Sequence, residues 1–100
     1  MKYEPTYNLK TIKKAFAHVN KLNMTFSAMK TQYELGFSEQ DVVDAIQALD
    51  EADFYKSMPP KKSGFTAWHD VYKPIFRNVE LYIKFQIDAR GEIILSFKER

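Results

Sequence analysis

The run VELYIKFQID, Val79 to Asp88, alternates without a break. Val79, Leu81, Ile83, Phe85 and Ile87 are apolar, and Glu80, Tyr82, Lys84, Gln86 and Asp88 stand between them. A period of two belongs to a strand with one dry face and one wet face. The next run, EIILSFK, sends Ile93, Leu95 and Phe97 one way and Ile94, Ser96 and Lys98 the other. DARG between them supplies turn chemistry, with Gly91 able to take any position that needs positive φ. The two runs therefore predict an antiparallel hairpin, and its dry face must be covered by another layer.

The first half of the chain supplies that layer. Asn8 can cap a segment in which Leu9, Ile12, Phe16 and Val19 recur at helical spacing. A second helix is expected from Thr25 to about Glu34, with Phe26, Met29 and Tyr33 on one side and Gly36 just past its end. SEQD then opens a third helix through a Ser38–Asp41 capping box, and Val42, Ile46 and Leu49 form its buried stripe, widened by Val43 and Ala45. FYKSM and FTAWHDVY read as two earlier strands, separated by the loop PPKKSG. The expected fold class is α+β, with N-terminal helices packed on one face of an antiparallel β-sheet.

A chain of 100 residues is read as one domain, residues 1–100, with a core large enough to need no staples. It has no cysteine, so a disulfide framework and a thiolate zinc site are excluded; two distant histidines offer no metal-ligand spacing either. No metal or other cofactor is expected. The start, MKYEPTYNLKTIKK, has an early acid, a proline and no apolar core, so no secretory signal is expected, and no apolar run is long enough to span a bilayer. A cytoplasmic location fits. The formal charge is +2, but residues 53–100 carry nine Lys and Arg against six acids, so the basic excess lies in the strand-forming half.

If the apolar side of the hairpin faces the helices, Tyr82, Lys84 and Gln86 share the opposite side with Ser96 and Lys98. A phenol, an amide and two ammonium groups form an anion-binding floor. The plainer alternative is that any half-exposed sheet turns polar residues outward.

ADFYKSM, AWHDVYKP, ELYIKF and the terminal LSFKER resemble the MqsR family of toxin ribonucleases, most densely from Ala52 to Pro74 and again in the last two strands. The resemblance implies a RelE-like fold and cleavage of messenger RNA at GCU-type sites. It also implies a partner, an antitoxin of the MqsA type that binds zinc and DNA. It places active-site positions at Tyr55, Lys56, Met58, Tyr82 and Lys98, and at position 69. There the sequence departs from the family pattern, which has glutamine where this chain has His69. The hairpin turn DARGE departs too, being one residue longer and lacking a histidine.

These residue types suit RNA cleavage by the substrate's own 2′-hydroxyl. Lys56 and Lys98 can stabilise the dianion that builds at phosphorus. Tyr82 can hold a phosphate oxygen or the 2′-hydroxyl, and His69 can carry a proton near neutral pH. Tyr55 and Met58 are candidate base contacts, and Lys84 a candidate RNA contact. Phe54 and Trp68 are read as core before stacking platforms, and Lys61 and Lys62 as exposed loop cations before RNA-backbone contacts. The competing reading is an RNA- or antitoxin-binding module that keeps the fold and has lost catalysis.

Overall fold

A computed structural model describes residues 1–60 and 67–100. Lys61, Lys62 and the start of the FTAWHDVY run lie outside the described residues. Asn8 caps α1 (Leu9–Ala15), its Oδ1 accepting from the amides of Lys10 at 2.9 Å and Thr11 at 3.2 Å. α1 stops earlier than its apolar spacing predicts, with Val19 in a separate 3-10 turn, Val19–Lys21. The stop is assisted from outside: Gln47 Nε2 donates to the carbonyls of Lys13 at 2.7 Å and Phe16 at 3.2 Å, two groups left open at the helix end.

α2 (Phe26–Leu35) runs between a Thr25 cap and Gly36, whose φ of 69° is the left-handed conformation expected of it. Phe26, Met29 and Tyr33 do share a side, but it is the solvent side; Phe26 is 86% and Tyr33 87% exposed, while Ala28 is fully buried. The backbone fixes this rotation. Thr25 N–H donates to Leu95 O, and Leu95 N–H to Asn23 O, both at 2.9 Å, so the chain docks on a strand edge immediately before the helix begins. α3 (Glu39–Gln47) starts with the predicted capping box, Ser38 Oγ accepting from Asp41 N–H at 3.0 Å and the Asp41 carboxylate from Ser38 N–H at 2.8 Å. Hydrogen bonds from the Ser38 amide and from Arg77 hold the Asp41 carboxyl below its ordinary pKa.

The strands are β1 (Phe54–Met58), β2 (His69–Tyr72), β3 (Ile75–Phe76), β4 (Val79–Ile87) and β5 (Ile93–Glu99), all paired antiparallel. β4 is central, with β5 on one edge and β2, carrying β1 beyond it, on the other; β3 continues along the β2 side. The fold is α+β, helices first, as expected. β3 was not foreseen. Its two-residue link to β4, Arg77 and Asn78, has positive φ at both positions, but only Asn is a residue that advertises such a turn.

The inner face carries Tyr72, Leu81, Ile83, Phe85, Leu95 and Phe97 against Ile12, Phe16, Ile46 and Leu49 of the helical layer. Phe85 meets Phe16 at 5.9 Å and Tyr72 at 5.8 Å between ring centres, contacts worth about 0.5–1.5 kcal/mol each beyond their buried area. Burial, reinforced by the charge of Asp70, pushes the Tyr72 phenol up to about 12. No helix of the described residues is long and apolar enough to cross a membrane.

Candidate active site

Register decides which side chains share the outer face. β4 and β5 pair Tyr82 with Lys98 and Lys84 with Ser96. β2 and β4 pair Val71 with Lys84, and β1 and β2 pair Lys56 with Val71 and Met58 with His69. One row across the sheet is therefore Lys56, Val71, Lys84 and Ser96. Met58 and His69 stand on one side of that row, Tyr82 and Lys98 on the other.

Lys56 reaches this face through an irregularity. Phe54 pairs with Tyr72 on the inner side, and its ring sits edge-on to Tyr72 at 5.5 Å. Two residues later Lys56 would share that side in a regular strand. The register instead shifts between Phe54 and Lys56, leaving Tyr55 as a bulge residue, so the aromatic points in and the ammonium points out. Phe54 is thus half-buried and packed against the core, the side expected of it.

Five of the expected residues gather in a cleft of about 430 Å³. Lys56 and Met58 enter it from β1, Tyr82 and Lys84 from β4, and Ser96 and Lys98 from β5. The Lys98 ammonium lies 5.4 Å from the centre of the Tyr82 ring. Among the described residues no carboxylate pairs with Lys56 or Lys98. Glu80, the acid on this face of β4, sits at the far end near Arg100, 3.9 Å away. The floor is a cationic surface with a phenol in it.

Two expected residues lie outside the lining. His69 shares the outer face and pairs with Met58, which puts it at the cleft's rim. Tyr55, 41% exposed, has the Lys73 ammonium 3.7 Å from its ring centre and that of Lys56 at 5.0 Å. Trp68 is half-buried beneath the Lys2 ammonium, 4.8 Å from its ring. The cleft also has a wall that the sequence did not announce: Ser27 and Thr31 of α2 line it opposite the β1 residues. Hydroxyls one helical turn apart look like any solvated flank, so no pattern marks them.

A family model described as "Motility quorum-sensing regulator, toxin of MqsA" matches residues 4–99. The chain belongs to this family. A curated relative, the "mRNA interferase toxin MqsR" of Escherichia coli (strain K12), is 34% identical over 99 residues, which cover 99% of this chain and 98% of the relative. The match extends through the helices of this MqsR-family chain as well as its strands, so the layer that carries the cleft's Ser27–Thr31 wall is inside it.

Proposed function

We propose that residues 1–100 are the toxin domain of a toxin–antitoxin pair, an endoribonuclease that cuts messenger RNA in the cleft between β1, β4, β5 and α2. What carries the reading is the convergence of Lys56, Lys84, Lys98 and Tyr82 from three strands on one floor. The name of the Escherichia coli relative and the family description support the substrate and the pairing with an antitoxin. The motif resemblance further supports GCU-type sites, and an MqsA-type antitoxin that binds zinc and DNA. Such a toxin works in the cytoplasm, where messenger RNA and its antitoxin are.

The chemistry follows from the floor. The substrate's 2′-oxygen attacks the adjacent phosphorus and loses its proton; the P–O2′ bond forms as the P–O5′ bond breaks, and the departing 5′-oxygen takes up a proton. Lys56 and Lys98 face the non-bridging oxygens and stabilise charge that is greatest in the transition state. Tyr82, braced against Lys98, positions the phosphate or the 2′-hydroxyl. His69 moves the proton from the rim, and Met58 beside it, with Lys84 in the next row, contacts the flanking nucleotide. No step requires a metal ion.

Purified protein incubated with GCU-containing RNA in excess EDTA should yield 2′,3′-cyclic phosphate and 5′-hydroxyl ends. Lys56→Ala should lower kcat by about 10²–10³, the usual cost of removing a donor to a developing oxyanion, with its thermal melt intact. Full activity in that folded variant would exclude Lys56 from the chemistry. The position of His69 outside the cleft lining favours a second reading, a module that binds RNA or antitoxin without cutting. Binding with no cleavage at any pH would support it.

A further inference from the structure

The proposed chemistry leaves Lys73 unused, although it lies in the same WHDVYKP stretch as His69. Its ammonium rests 3.7 Å from the centre of the Tyr55 ring, and the Lys56 ammonium is 5.0 Å from the same point. Both cations are within 5.0 Å of one ring centre, so no more than twice that distance separates them. Two successive phosphates of an extended single strand can bridge such a gap. Among the described residues no carboxylate pairs with Lys73.

The backbone of Lys73 is held from both sides. Its N–H donates to Asp53 O at 2.8 Å, and its carbonyl accepts from Arg100 Nη2 at 3.0 Å. A lysine that spends no charge on a local acid, on a backbone this constrained, is prepared for an anion from outside. Its place beside Lys56 sets which anion. We infer that Lys73, seated on Tyr55, forms a second phosphate subsite that grips the RNA backbone next to the scissile phosphate. The inference rests on the RNA-cleavage reading, but it concerns binding and not bond breaking. Tyr55 then acts as a platform that holds two ammonium groups apart, and Lys73 is a binding residue with no part in the chemistry.

The test is the salt dependence of binding to a 2′-O-methyl RNA oligonucleotide containing GCU, which cannot be cut. Each phosphate neutralised on a single strand contributes about 0.7 to the slope of log affinity against log salt. Lys73→Gln should weaken binding and flatten that slope by about 0.7, while Lys73→Arg keeps it. With cleavable RNA, Lys73→Gln should raise KM and leave kcat at saturation nearly unchanged. An unchanged slope, or a loss confined to kcat, overturns the subsite. In the wild-type protein the CεH₂ resonance of Lys73 should shift on adding the oligonucleotide, which reads the same contact without any substitution; a signal that stays still overturns it equally. If the wild type never cleaves but Lys73→Gln still flattens the slope, the catalytic reading falls and the subsite stands. If it shows no salt-dependent binding, both fall.

Discussion

Asp88 sits where β4 gives way to its turn, and its carboxylate is fully used. Oδ1 accepts the amides of Arg90 at 2.8 Å and Glu92 at 3.0 Å, and Oδ2 accepts Asn23 Nδ2 at 3.1 Å. Chiefly through the Asn23 hydrogen bond, and then the backbone amides, its pKa falls from 3.8 to about 2. A carboxyl depressed in the folded state binds its proton more readily when the chain unfolds. Its contribution is therefore complete above the ordinary value and disappears as pH falls through about 2. Asp88→Asn should lower the melting temperature at pH 7, and the gap from wild type should close between pH 4 and pH 2. Thermal melts of the two proteins across that range measure it; a constant gap would mean that the turn does not depend on the charge. The same residue joins the hairpin to the segment before α2, so Asn23 links the floor of the cleft to its hydroxyl-lined wall.

At the scale of the element, the bulge in β1 matters more than the strand's length. One extra residue turns Phe54 to the core and Lys56 to the cleft, and the sheet twists locally where the two part. Deleting Tyr55 should force a choice between a lysine in the apolar layer and a phenylalanine outside it. Burying an uncompensated charge costs about 3–5 kcal/mol, a large share of the stability of a domain this size. Tyr55→Gly keeps the extra residue and should melt cooperatively near wild type, whereas the deletion should lose cooperative unfolding; equal melts would show that the backbone irregularity is unimportant. The β4–β5 alternation, the Ser38 capping box and Gly36 were all legible because each is a local rule with one physical solution. So was the shared face of the cleft residues Tyr82, Lys84 and Lys98, since the side each residue takes follows from period two. The bulge at Tyr55 and the β3 turn were not legible, because Tyr and Arg give no sign of an irregular backbone. The rotation of α2 was not legible for a related reason. Its apolar residues share one side, and it is the docking of Asn23 and Thr25 on β5 that turns Phe26 and Tyr33 to solvent.

The sheet is tied by the chain's first seven residues, which no local pattern in the sequence announced. Lys2 exchanges two backbone hydrogen bonds with Ser57, at 2.9 and 2.8 Å, and so occupies the outer edge of β1 between the cleft residues Lys56 and Met58. Farther along, the fully buried Asp70 accepts the amides of Thr6 at 3.0 Å and Tyr7 at 2.8 Å, and Thr6 Oγ1 meets buried Ser57 Oγ at 2.8 Å. Tyr7 completes the tie by donating its hydroxyl to Trp68 O at 2.6 Å; burial first, and then the Asp70 charge, raises its pKa. An N-terminal segment thus pins β1 and β2 from the face opposite the cleft, and a buried carboxylate carries the load. Asp70→Asn keeps the shape but turns an amide N–H₂ toward one of the two backbone donors. Losing a hydrogen bond to a charged acceptor costs about 1.5–3 kcal/mol, which lowers the melting temperature on the order of 10 °C in a protein of this length. The Thr6 and Tyr7 amides should lose hydrogen-exchange protection first, and that of Ser57 with them, because its strand edge is then uncovered. Mobility at Ser57 passes directly to its neighbours Lys56 and Met58, so RNA cleavage should slow even though the substitution lies behind the sheet. Unaltered exchange at Ser57 together with a full cleavage rate would mean that β1 holds the cleft residues without the N-terminal segment.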